Sequence, residues 1–299
     1  MTVSMDRRKF LAGSVAGAAA LRAVKKASLA AAPSDAGAGG GLKKAVVIGM
    51  LGGQGSVEDR FKTARDLGFD GVEANTIDDP KQVEAMRAAA EKTGIRVHSI
   101  MNSGHWKYPL SSGDPDVVKN CVAGIKTSMQ NAKDLGADTV LLVPAVVSET
   151  TRYAEAYERS QKEIRALLAL AEDLGVILAI ENVWNKFLLS PIEFAQYVDS
   201  FQSPFVRAYF DCGNILLYGY PQDWIRTLGK RIVKIHVKDF KRDGYAWKNL
   251  RDGDVDWPEV RRALDEVGYR GWITAEIGGG DEAYLRDVSA RMDLILAGK

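Results

Sequence analysis

From residue 44 onward the chain repeats one pattern of apolar and polar positions. A short run rich in Val, Ile and Ala is followed by a polar or Gly/Pro-containing stretch, then by an amphipathic segment that ends on a glycine. Short apolar runs bounded by turn residues read as buried strands, and the longer periodic segments read as helices. The strand candidates are 45–50, 71–74, 96–100, 139–143, 177–181, 208–211, 232–237 and 273–276. Helix starts are legible at Ser56-Val57-Glu58-Asp59, which resembles a capping box, and at Asp114-Pro115, Ser190-Pro191, Tyr220-Pro221 and Asp256-Trp257-Pro258, which put proline in a first turn. Stops recur at Leu67-Gly68, Thr93-Gly94, Leu135-Gly136, Leu174-Gly175 and Val267-Gly268. Eight alternating units in about 255 residues predict an α/β fold, a single (β/α)8 TIM barrel, over an open doubly wound sheet. The run Gly52-Gly53-Gln54-Gly55 lacks dinucleotide-loop spacing and reads as an ordinary βα loop.

In a parallel barrel the C-terminal ends of all strands meet on one face, so polar residues that end strands are the first candidates for chemistry. Four consecutive strands end on ionisable groups: Ile180-Glu181-Asn182, Phe210-Asp211-Cys212-Gly213-Asn214, His236-Val237-Lys238-Asp239 and Ala275-Glu276. A charge placed directly after an apolar β run is costly unless it is coordinated or hydrogen bonded. Two glutamates, an aspartate and a histidine make a mixed oxygen and nitrogen set suited to one divalent metal ion, Mn2+, Mg2+, Co2+ or Zn2+. The competing reading, a local cap or salt bridge at each strand end, weakens when four such ends follow one another.

These segments, with Gly71-Val72-Glu73 and Gly253-Asp254-Val255-Asp256-Trp257, resemble the xylose isomerase-like TIM barrel superfamily of sugar isomerases and epimerases over about residues 44–296. The resemblance to its ketose 3-epimerases implies that Glu181, Asp211, His236 and Glu276 bind the metal and that Glu181 and Glu276 also move the proton. In that chemistry a metal-chelated carbonyl and hydroxyl stabilise an enediolate, and inversion needs acid and base on opposite faces. Many such epimerases carry a histidine where this chain has Asn214, which leaves a metal-dependent keto-sugar dehydratase or lyase as an alternative. A non-catalytic periplasmic carbohydrate-binding protein is a third reading. Expected substrate contacts are Glu73, His105, Trp106, Trp184, Lys186, Asn214 and Trp247, with a residue covering the barrel core as the competing role for each loop position. Glu73 also fits an ordinary salt bridge or a place behind the metal ligands. Lys238 and Asp239 read as a structural ion pair beyond His236, and His98 as a packed core residue.

Composition changes the picture in two ways. Three histidines exclude trinuclear-zinc endonucleases and the two-metal site of classical xylose isomerases. The charge is nearly balanced, 40 Lys plus Arg against 39 Asp plus Glu, which gives no support to nucleic-acid binding, yet residues 1–44 hold eight basic residues and two acids. There Arg7-Arg8-Lys9-Phe10-Leu11 precedes a short apolar, small-residue stretch, resembling a twin-arginine export signal; a basic tail is the competing reading. The expectation is a signal peptide over 1–30, a flexible linker over 31–43 and the barrel over 44–299. Export to the periplasm or exterior through the Tat translocase makes a free sugar, keto-sugar or glycoside the expected small-molecule partner, since sugar phosphates are scarce there. A homo-oligomer is compatible with the sequence. Cys121 and Cys212 are expected to be buried free thiols.

Overall fold

The computed structural model describes residues 41–52 and 55–299. Along them run β1 (Lys43–Val47), α1 (Val57–Asp66), β2 (Gly71–Asn75), α2 (Pro80–Thr93), β3 (Arg96–Met101), α3 (Pro115–Leu135), β4 (Thr139–Leu142) and α4 (Tyr153–Leu174). The second half has β5 (Ile177–Glu181), α5 (Pro191–Asp199), β6 (Val206–Asp211), α6 (Cys212–Ile215), α7 (Pro221–Leu228), β7 (Ile232–Val237), β8 (Asp239–Lys241), β9 (Ala246–Lys248), α8 (Trp257–Glu266), β10 (Trp272–Ala275) and α9 (Glu282–Leu296). Strands β1 to β7 and β10 close a parallel barrel in the order β1-β10-β7-β6-β5-β4-β3-β2. All eight expected strands are there. The first begins at Lys43, inside the stretch read as linker, and pairs with Trp272; its expected end, residues 48–50, lies instead in a 3-10 turn, Ile48–Leu51. The export signal and most of the linker lie outside the described residues.

Local chemistry accounts for the helix boundaries. Ser56 and Asp59 form the reciprocal capping box, and Asp114, Ser190 and Asp256 each accept a backbone N–H in the first turn ahead of or beside a proline. Glycine ends α2 at φ 77°, the left-handed conformation in which a Cβ would clash. None of the helices among the described residues is long and apolar enough to cross a membrane. Cys121 and Cys212 are buried free thiols, as expected.

Strands β4 and β5 are buried along their whole length, the signature of a sheet covered on both faces. One set of side chains packs outward against the helices in a single large core. The alternate set carries Ile177, Ala179 and Glu181 on β5, Tyr209 and Asp211 on β6, Lys234 and His236 on β7, and Trp272 and Thr274 on β10 leading to Glu276. Of these, Ile177, Ala179 and Tyr209 form a second, small apolar cluster with Leu141. The layers above and beside it are polar. A register shift against β2, with Val72 opposite Val97 and Glu73 opposite Ser99, leaves His98 as the extra residue of a bulge. Its ring is buried, stacks on Trp272 at 4.6 Å and meets Thr274 Oγ1 at 3.1 Å, so it is the core residue expected.

Candidate active site

Because side chains alternate along a strand, the residue that ends each inward-facing series stands at the rim of the barrel. Glu181 closes β5, Asp211 closes β6, His236 lies one residue before the end of β7, and Glu276 follows β10 with its N–H bonded to Val237 O at 3.1 Å. The four therefore converge. One donor atom from each lies within 4.8 Å of the others, and all but Glu276 are buried.

The donor set fits a cation. His236 Nδ1 is 3.1 Å from Glu181 Oε1, 2.9 Å from Glu276 Oε2 and 3.9 Å from Asp211 Oδ2, three acceptors facing one ring nitrogen. Asp211 Oδ1 already caps α6 by accepting the Asn214 N–H at 2.7 Å, which leaves Oδ2 for the cluster. Asp211 Oδ2 and Glu276 Oε2 are buried without a correctly aimed hydrogen-bond donor. Protonating the ring is one way to neutralise this convergence: burial opposes it, but Glu73, Glu276 and Glu181 raise the imidazole pKa well above its ordinary value. A divalent ion would be the other, with one atom from each of the four residues available to hold it. Burial pushes Glu181 up to about 7, while His236 and Lys238 outweigh burial at Glu276 and hold it well below the usual carboxylate range. Burial also raises Asp211.

Of the expected roles of Glu73, the substrate contact gives way to the place behind the metal ligands. Glu73 is fully buried behind His236, where Oε1 accepts from Nε2 at 3.0 Å and Oε2 accepts from Tyr209 OH at 2.5 Å and from Ser99 Oγ. With both oxygens engaged, it has none left for substrate. A proton on Nε2 puts the Nδ1 lone pair toward the carboxylates, the arrangement a metal-ligating histidine needs.

Lys238 and Asp239 do not form the expected ion pair. Lys238 continues the inward series Lys234, His236 into the site, where Nζ is 2.6 Å from Glu276 Oε2 and 3.1 Å from Asp211 Oδ2. Burial disfavours its charge, but Asp211, Glu276 and Glu181 more than compensate and raise its pKa. Gly213 makes room for it, since a Cβ there would meet the Lys238 carbonyl oxygen at 2.7 Å. Asp239 points the other way and accepts from Phe240 N, Arg251 N, Val255 N and Trp257 Nε1 at 2.9–3.2 Å.

The loop candidates divide. Asn214 is buried and its amide donates to Asn182 O at 2.9 Å, so its expected substrate contact gives way to a role in fixing the loop after β6. Asn182, which the sequence did not single out, clamps the same turn by exchanging two hydrogen bonds with the Asp211 backbone. Trp184 donates from Nε1 to Asn214 O at 2.9 Å and stacks on Trp247 at 4.9 Å. His105 is buried, accepts weakly from Val143 N at 3.5 Å, and burial lowers its pKa to about 4. Trp106 and Lys186 are exposed, and the structure brings neither against the four converging residues. A cavity of about 510 Å³ opens beside the cluster, lined by Lys238, Trp247, Lys248, Asn249, Glu276 and Tyr284 among others. Grooves of similar size lie between α2 and α3 and between α3 and α4, and neither is lined by any of the four converging residues.

A family model described as xylose isomerase-like TIM barrel matches residues 61–293. The chain belongs to this family. Among its relatives, the L-ribulose-5-phosphate 3-epimerase UlaE of Escherichia coli O1:K1 / APEC is 27% identical over 253 residues, covering 78% of this chain and 89% of that protein. Solved structures share the fold. A D-psicose 3-epimerase from Clostridium cellulolyticum H10, solved with D-tagatose, superposes with a TM-score of 0.71 at 20% identity, over 85% of this chain and 98% of that one. The 3-keto-D-glucoside 4-epimerase YcjR of E. coli gives 0.72 at 14% identity over the same shares.

Proposed function

We propose that this chain is an exported, divalent-metal-dependent sugar epimerase or isomerase that moves a proton at the carbon beside a carbonyl. The observation that carries the metal-dependent proton transfer is the convergence of Glu181 and Glu276 with Asp211 and His236 at the C-terminal rim of the barrel. The four would hold the ion, which when bound supplies a Lewis acid that polarises the carbonyl and stabilises charge on its oxygen. Glu181 and Glu276 flank His236 from two different strand ends. In this reading one carboxylate takes the proton from carbon and the other returns a proton to the opposite face, which inverts the centre. Lys238, between Glu276 and Asp211, presents an ammonium to the same space. The epimerases named above support the reaction class.

We favour an unphosphorylated sugar. Among the described residues no arginine lines the cavity, and of its two lysines Lys238 is already paired with Glu276 and Asp211. A second reading, elimination next to the carbonyl, is favoured by Asn214, which supplies no titrating group and spends its amide on Asn182. The test is a panel of free ketoses, inososes and 3-keto-glycosides with Mn2+ in D2O, followed by NMR. Epimerisation exchanges deuterium into one carbon with inversion, whereas elimination yields an unsaturated product. Glu181→Gln and Glu276→Gln are each expected to abolish turnover, and near-normal activity in both would exclude the mechanism.

A further inference from the structure

The hairpin formed by β8 and β9 rises from the end of β7 and pairs Phe240 with Trp247. Phe240 is buried, but Trp247 is 46% and Tyr245 60% exposed, large rings left facing water at the rim of the site. They are not loose. Trp247 stacks on Trp184 with planes 26° apart, Tyr245 meets Trp184 at 5.8 Å, and Phe240 holds Tyr245 and Trp247 edge-on at 5.1 and 5.2 Å. Trp184 is anchored in turn by its Nε1 bond to Asn214 O. Four mutually braced rings, two of them wet, make a preorganised apolar surface whose side chains lose little freedom on binding.

This surface is continuous with the reaction site. Trp247 lines the same cavity as Glu276, and the Lys238 ammonium stands over its indole at 5.5 Å while touching Glu276 Oε2. The lysine head thus separates the indole from the carboxylate that would reach a C–H bond. A ring lying on Trp247 and Tyr245 is therefore a different ring from the one over the four converging residues. Sugar rings present apolar C–H faces that stack on aromatics, with hydroxyls left for neighbours such as Lys248 and Asn249 at the same cavity.

We infer that Trp247 and Tyr245 form a subsite for a second ring, so that the substrate is a glycoside or oligosaccharide rather than a single free sugar. This rests on the sugar-epimerase reading above for the identity of the reacting ring. The test is calorimetric binding to the Mn2+-loaded full chain of matched pairs: methyl β-D-glucoside against phenyl β-D-glucoside and cellobiose, and methyl α-D-glucoside against maltose. At least one two-ring probe is expected to bind about tenfold tighter than its methyl partner, equivalent to about 1.4 kcal/mol. Trp247→Ala and, separately, Tyr245→Ala should erase that ratio, and Tyr245→Phe should keep it. Tyr245 is exposed, so its variants report even where Trp247→Ala disturbs the hairpin, which circular dichroism would reveal. The subsite is overturned where no two-ring probe outbinds its methyl partner, or where the advantage survives both alanine variants. Failure of the epimerase reading is separate: it shows as no deuterium exchange in any sugar, whatever the binding ratios.

Discussion

Of the roles the sequence left open for Glu73, the structure supports the place behind the metal ligands. A carboxylate buried behind His236 and fed by Tyr209 and Ser99 fixes which ring nitrogen bears the proton, and with it the direction of the Nδ1 lone pair. Removing its charge while keeping its shape, as in Glu73→Gln, is expected to weaken Mn2+ binding by about tenfold or more, the usual cost of losing such a partner. Titration of the metal-stripped protein followed by electron paramagnetic resonance reads this directly, and an unchanged Kd would remove Glu73 from the site. His105 offers a second test. Burial lowers its pKa from about 6.5 to about 4, so the folded chain keeps it neutral where the unfolded chain binds a proton. Stability from this group is complete above pH 6.5 and declines as pH falls toward 4, by about 3 kcal/mol across the window. Urea unfolding at pH 7 and pH 4.5 should show a smaller loss in His105→Gln than in the parent chain, and equal losses would contradict the assignment. The four converging residues were legible because each interrupts an apolar strand with a charge. Lys238 was legible too, by parity: it lies two residues after His236 and four after Lys234. Reading it as a partner of Asp239 failed because adjacent residues in extended chain point to opposite sides.

At the scale of elements, the strands and most helix ends followed from apolar periodicity, proline and glycine placement and side-chain caps. What did not follow was the chain between β7 and α8. That segment has no long apolar run to announce it, and its order comes from one buried carboxylate. Asp239 gathers the N–H groups of Phe240, Arg251 and Val255 and the indole of Trp257, which ties the base of the hairpin to the start of α8. Gly253 closes against it so tightly that any Cβ would overlap the Asp239 carboxylate. Asp239→Ala strands four donors, three of them backbone, and is expected to destabilise the protein by about 3 kcal/mol or more. The loss should be local first: hydrogen exchange at the Arg251 and Val255 amides should accelerate more than exchange within β5. Uniform acceleration across the barrel would mean that the hairpin is not held by this residue. The same variant would loosen Trp247 and Tyr245, so the aromatic surface and the loop carboxylate stand or fall together.

For the whole molecule, closure of the barrel and the proposed export meet at β1. Lys43 N–H donates to Gly271 O at 2.8 Å, and Lys43 to Val46 pair with Trp272 to Ala275, so the strand that completes the ring starts 12 residues after the expected cleavage site before Ala31. The same N-terminal 30 residues carry six basic residues and one acid, and without them the chain has 34 basic residues against 38 acidic. A near-neutral total thus divides into a basic N-terminal segment and a mildly acidic remainder. If that segment is an address and β1 a structural part, the two truncations on either side of Lys43 must behave differently. A chain beginning at Ala31 should melt at the same Tm as the full chain, while one beginning at Ile48 lacks β1, exposes the facing edges of β2 and β10, and should not fold. In cells, the full chain should appear in the periplasm with Ala31 at its N-terminus, and replacing Arg7 and Arg8 by lysine should leave it unprocessed in the cytoplasm. Recovery of the unaltered chain in the cytoplasm with residues 1–30 attached would reject export and, with it, the argument from compartment against a phosphorylated substrate. The cavity, which among the described residues offers no arginine and, besides the paired Lys238, only Lys248, would still favour a free ketose over a phosphorylated one in the exchange assay.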